Sequence, residues 1–93
     1  MKQNLKLLFF GADWCPHCRD FKKTFKKLKE FFKADDIDFW HVDLMNPKMK
    51  KWGEKFGVGG IPDIRIFQNG ELGQYADKRD FKTMKTVLQK LLN

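Results

Sequence analysis

Ninety-three residues, 42% of them hydrophobic and ten of them phenylalanine, are enough for one domain, 1–93, around one apolar core, and too few for two. The chain has no apolar run approaching the roughly twenty residues of a membrane span, so no membrane association is expected. Two cysteines are too few for a disulfide-stapled secreted scaffold, and the apolar stretch near the start is too short for a leader, so a cytoplasmic location is expected.

Leu5-Lys-Leu-Leu-Phe-Phe10 is short, bulky and nearly all apolar, which predicts a central strand covered on both faces. Gly11-Ala12-Asp13-Trp14 is read as the following loop. From Pro16 to about Lys33 the apolar positions Cys18, Phe21, Phe25, Leu28 and Phe32 recur at spacings of three and four, one stripe of a helix. Much of the formal charge of +7 lies on the rest of this helix, at Arg19, Lys22, Lys23, Lys26, Lys27, Lys29 and Lys33. A nucleic-acid groove interleaves aromatics with such charge, whereas here the aromatics fall on the opposite stripe. The basic face is therefore read as solvated, with acidic proteins favoured over nucleic acid as partners.

Ala34-Asp35-Asp36 breaks the helix, and Ile37 to Val42 reads as a second strand. Strand, long helix and strand predict a right-handed unit with the two strands parallel. Asn46-Pro47 starts a second helix as cap and first residue, with Met49, Trp52 and Phe56 as its inward stripe and Gly57 as its stop. Asp63 to Gln68 alternates like a strand, Asn69-Gly70 is a strong two-residue hairpin signal, and Glu71 to Ala76 returns antiparallel. Asp77 is read as the cap of a last helix with the stripe Phe81, Met84, Leu88, Leu91 and Leu92. The predicted order is β-α-β-α-β-β-α, an α/β fold.

Both cysteines lie in Trp14-Cys15-Pro16-His17-Cys18, at the turn from the first strand into the first helix. Two thiols separated by two residues at such a turn are a redox arrangement. Helical spacing places Cys18 one turn beyond Cys15, close enough to close a small disulfide ring. Cys15 falls at the helix N-terminus, where free N–H groups and the macrodipole favour the thiolate, the attacking species. Pro16 takes the first helical position, which needs no N–H donor. Cys15 is expected to be exposed and Cys18 tucked beneath it. A bare pair of this spacing also serves as half of a zinc site, but only His17 and His41 add nitrogen ligands, so no metal is expected.

This order, with the cysteine pair after the first strand, resembles the thioredoxin fold from about Leu5 to Leu92. Ala12-Asp-Trp-Cys-Pro-His-Cys18 is similar to the family's A-x-W-C-x-x-C site. Val42-Asp43 is similar to its strand end, Phe56-Gly-Val-Gly-Gly-Ile-Pro62 to its loop ending in Ile and a cis-proline, and Phe67-Gln-Asn-Gly-Glu71 to its hairpin. The family's N-terminal strand and helix have no counterpart, so the resemblance implies a minimal version: a four-stranded mixed sheet flanked by three helices. It also implies a thiol–disulfide oxidoreductase that needs no organic cofactor. Cys15 takes the nucleophile position and Cys18 the resolving one, the two forming the redox-active disulfide. Trp14 flanks the pair, Pro62 faces it, and Ile61 offers backbone groups to an extended substrate segment.

The partners so implied are disulfide-containing proteins, with a reductase of the thioredoxin reductase kind or a small thiol as electron donor. The expected protein is a monomer acting as a reductase. Two alternatives stay open: a glutathione-dependent enzyme of the glutaredoxin type, and a non-enzymatic binding subunit on the same fold. The sequence departs from the family in two places. Thioredoxins carry a buried aspartate and a lysine partner where this chain aligns Phe9 and Phe39, so their internal proton acceptor for the resolving thiol is missing and both rings are expected in the core beneath the site. Pro16-His17 is the dipeptide of the DsbA-type oxidases rather than Gly-Pro. His17 is expected to stabilise the Cys15 thiolate and so raise the reduction potential, with Asp13 and Asp63 opposing it.

Overall fold

The computed structural model describes residues 5–93, so the first four residues of the expected 1–93 domain lie outside it. The elements follow in the expected order: β1 (Leu5–Gly11), α1 (Pro16–Phe31), β2 (Ile37–Asp43), α2 (Pro47–Lys55), β3 (Asp63–Gln68), β4 (Glu71–Gln74) and α3 (Phe81–Leu92). They form one four-stranded mixed sheet in the order β2-β1-β3-β4 flanked by three helices, the minimal thioredoxin fold. β1 is parallel to β2 and antiparallel to β3, and the β3–β4 hairpin is antiparallel. Being central and covered on both faces, β1 carries apolar residues on both: Leu5, Leu7 and Phe9 on one, Phe10 on the other.

The main core lies between the sheet and the α1–α3 pair. Cys18, Phe21, Phe25 and Leu28 descend from α1, Phe32 from its C-terminal cap, and Met84 and Leu88 from α3, onto Leu5, Leu7, Phe9 and Ile64 of the sheet. Phe9 sits at the centre of an aromatic cluster. Its ring meets Phe21 edge-on at 4.8 Å, Phe25 at 5.5 Å, and the His41 imidazole in a flat stack at 4.6 Å. The hairpin turn is of the two-residue kind with both residues left-handed, Asn69 at φ 51° and Gly70 at φ 88°.

Three expectations change. Phe9 is fully buried, but Phe39 is half-buried and one row further from the cysteines, packed on Phe25 and Phe32. The parallel register is the reason: it sets Phe39 opposite Leu7 and places His41 opposite Phe9. The last helix is capped by Asp80, whose carboxylate accepts the Thr83 N–H at 3.1 Å, while Asp77 accepts the Lys78 N–H in the preceding loop. In α2 only Gly53 is buried, because this is where the helix meets Leu44: a Cβ there would lie 2.8 Å from a Leu44 methyl. Of the expected stripe, Phe56 meets Phe10 of β1 edge-on at 5.7 Å and the Met49 sulfur accepts the Asp43 N–H at 3.4 Å, while Trp52 stays exposed and the stripe does not close fully. It lines an open groove of about 250 Å³ with Lys6, Leu8 and Trp40.

Phe9→Asp tests this arrangement of the core. It buries a carboxylate among Phe21, Phe25 and Cys18 beside the His41 imidazole, and at pH 8, where that imidazole is neutral, is expected to destabilise the fold by about 3 kcal/mol, read as a fall in the urea midpoint. An unchanged midpoint would place this ring outside the core.

Candidate active site

Cys15 is the N-cap residue of α1, with extended backbone at φ −91° and ψ 114°. Its sulfur stands where a serine or aspartate oxygen stands in other helices and accepts the Cys18 backbone N–H at 3.3 Å. The chain is held in this turn by Cys15 N–H to Ala12 O at 3.1 Å and Arg19 N–H to Cys15 O at 3.0 Å. Pro16 occupies the first helical position. Capping folds the Cys15 sulfur over the first turn, so the residue is only 5% exposed and Cys18 3%. The expected contrast of an exposed and a covered cysteine is thereby corrected: both are buried.

What separates the two thiols is their electrostatics. Cys15 is held below the ordinary thiol pKa, first by the side-chain hydrogen bond from Cys18 and then by the backbone N–H groups of Cys18 and His17 and the charge of Arg19, against the opposing effect of burial. Cys18 is pushed up to about 11, chiefly by burial and then by its hydrogen bond to Cys15. The pair is thus unequal: Cys15 gives up its proton more readily than Cys18. The His17 side chain is exposed, and it is the backbone N–H of this residue that lowers the Cys15 pKa.

Opposite the pair, the Ile61–Pro62 bond is cis and the Ile61 carbonyl lies 3.8 Å from the Cys15 sulfur. Ile61 and Pro62 are half-buried, and Trp14 is 65% exposed beside the cysteines. Asp63, the one buried charged residue described, is held in a two-pronged pair by Arg65 at 2.7 and 3.1 Å. Its charge is therefore answered locally by Arg65. The expected site residues Trp14 to Cys18, Ile61 and Pro62 come together at one end of the sheet.

Two contributors escaped the sequence reading. Arg19 bonds the Asp13 carbonyl at 2.7 Å and favours the Cys15 thiolate. Its place four residues after Cys15, in the first helical turn, is the signal that could have found it. Arg79 reaches the Pro62 carbonyl at 3.5 Å and favours the Cys18 thiolate, and only the folded topology brings it there. Among the described residues no three His, Cys, Asp or Glu side chains converge as metal ligands, and no helix is long and apolar enough to cross a membrane.

A sequence model of the family described as Thioredoxin matches residues 1–91. The chain belongs to the thioredoxin family. Within this family it is similar to a protein disulfide-isomerase of Neurospora crassa, erp38, at 38% identity over 65 residues, covering 69% of this chain and 18% of that protein. It is also similar to a protein disulfide-isomerase of Hordeum vulgare, at 30% identity over 88 residues, covering 90% of this chain and 17% of that protein. The chain thus spans less than a fifth of the length of these curated relatives. Among solved structures it is similar to the first thioredoxin domain of mouse protein disulfide-isomerase A4, at 26% identity and a TM-score of 0.79, covering 97% of this chain and 64% of that one.

The division between the thiols is open to titration. Cys18→Ala removes the hydrogen bond that lowers the Cys15 pKa most. The midpoint of Cys15 alkylation against pH is expected to move up toward the ordinary thiol value. His17→Ala keeps the backbone N–H and is expected to move the midpoint less. An unshifted midpoint in Cys18→Ala would show that the Cys18 thiol does not stabilise the thiolate.

Proposed function

We propose that this chain is a thiol–disulfide oxidoreductase domain acting on disulfides in proteins. The observation that carries this reading is geometric: Cys15 caps the helix, its sulfur accepts the Cys18 N–H at 3.3 Å, and it faces the Ile61 carbonyl of the cis Ile61–Pro62 bond at 3.8 Å. The Cys15 thiolate attacks one sulfur of a substrate disulfide, forming a mixed disulfide and releasing the other sulfur as a thiol. Cys18 then attacks the Cys15 sulfur, the Cys15–Cys18 disulfide forms, and the second substrate thiol departs with the two electrons. In the reverse direction the oxidised pair introduces a disulfide into a dithiol.

Trp14 contributes an exposed ring beside the attacked sulfur, and Pro16 and His17 form the first helical turn that stabilises the thiolate. Ile61 and Pro62 offer an extended backbone edge along which a substrate segment lies. In the cytoplasmic setting expected from the cysteine usage, a small-thiol pool or a reductase of the thioredoxin reductase kind returns the pair to the dithiol, and the net direction is reduction. The protein disulfide-isomerase names of its relatives support exchange on protein substrates over glutathione-specific chemistry.

Single-cysteine variants test the roles. Cys18→Ser is expected to accumulate covalent mixed disulfides with a disulfide-containing protein such as insulin, and Cys15→Ser to form none. Both variants are expected to lose reduction of insulin by dithiothreitol as a catalysed reaction, with rates near the uncatalysed background. Equal trapping by the two variants would overturn the assignment, and full biological activity of the double cysteine variant would favour a non-enzymatic binding subunit.

A further inference from the structure

The second step of this exchange must remove a proton from Cys18, which is buried and holds that proton to about pH 11. The aligned position of the family's acidic acceptor is Phe9, and the one buried carboxylate described, on Asp63, is already bound by Arg65. A small cavity lies beside Cys18. Its volume is about 10 Å³, the size of one water, and its walls include Cys18, Phe9, His41, Asp13, Arg19 and Lys22. Cys18 and His41 therefore border the same space. The Cys18 sulfur and the Phe9 ring edge also converge on one point, lying 3.3 and 2.8 Å from where a Gly11 Cβ would be. The imidazole lies flat on Phe9, with an interplanar angle of 7°, which fixes the plane of a ring that lines the cavity.

We propose that His41 is the proton acceptor for Cys18, reached through a single water in this cavity. This inference rests on the assignment of Cys18 as the resolving thiol. As Cys18 attacks the Cys15–substrate disulfide, its S–H bond breaks, the proton passes through the water to the neutral imidazole, and the sulfur electron pair forms the new Cys15–Cys18 bond. The bond between Cys15 and the substrate breaks, and the substrate sulfur leaves with that electron pair as a thiolate. His41 then returns its proton to solvent or to the departing thiolate.

The surroundings suit a base that is neutral at rest. Burial lowers the His41 pKa, the Lys22 charge from α1 lowers it further, and Asp43 on its own strand and Asp13 in the loop oppose them. Arg19 of α1 also borders the cavity, and β1 presents Phe9 to the imidazole with no charge. In this proposal His41 acts through the water rather than on the sulfur directly, and is a proton-accepting residue rather than a catalytic one.

The test is a single turnover of the reduced full chain with dithiobis-nitrobenzoate, which releases one coloured thiolate when Cys15 attacks and a second when Cys18 closes the ring. His41→Phe keeps a ring to stack on Phe9. It is expected to leave the first release unchanged and to slow the second about a hundredfold or more at neutral pH, the lower end for loss of a general base. The native second release is expected to fall off as His41 becomes protonated at low pH, whereas that of the variant rises in proportion to hydroxide. His41→Gln, should His41→Phe not fold, is expected to show the same slowing. A second release with native rate and native pH profile in either folded variant overturns the role of His41. A native protein that releases only the first thiolate overturns instead the assignment of Cys18, and this inference with it.

Discussion

The ring of Phe9 is the contact on which the site depends. It ties three elements at one point: β1, which carries it, α1 through Phe21 and Phe25, and β2 through the stacked His41. Aromatic pairs in these edge and offset geometries add to the area they bury, and here they hold the start of α1 at a fixed height above the sheet. Because Cys15 caps that helix, the same contact sets where the sulfur meets the Ile61 carbonyl. An apolar core therefore positions a polar reaction centre.

Above that core, one helix end treats two identical side chains differently. Cys15 precedes the helix and collects hydrogen bonds from its first turn, which stabilises negative charge on the sulfur. Cys18 belongs to the inward stripe, where burial first and then its hydrogen bond to Cys15 keep it protonated. Three residues of sequence and one turn of helix are enough to separate the pair into donor and acceptor. The exposed basic residues of α1 are mostly remote from this division; Arg19 and Lys22 are the two that reach toward it.

Much of this architecture was legible in the residues. The bulky run at Leu5 to Phe10, the three–four spacing from Cys18 to Phe32 and the Asn69-Gly70 pair each dictate local structure directly, and the observed elements follow them closely. What was not legible depends on register and on distance along the chain. Alignment paired Phe9 with Phe39, but a parallel ladder decides which residue of β2 lies opposite which of β1, and it chose His41. Periodicity marked Met49, Trp52 and Phe56 as inward; Met49 and Phe56 do meet the sheet, but Trp52 stays exposed and an open groove remains beside all three. Arg79 lies far from Pro62 in sequence, and no local pattern announces their contact.

Gly11 sets a different kind of limit. A side chain there would run into the Phe9 ring at 2.8 Å and come within 3.3 Å of the Cys18 sulfur. Positions 9 and 11 consequently share one allotment of space, and the phenylalanine has taken nearly all of it. Their substitutions will not combine additively, as for any residues in contact. A mutant library that varies either position alone samples mostly clashes or holes, whereas one that trades volume between them explores the sequences this strand end can accept.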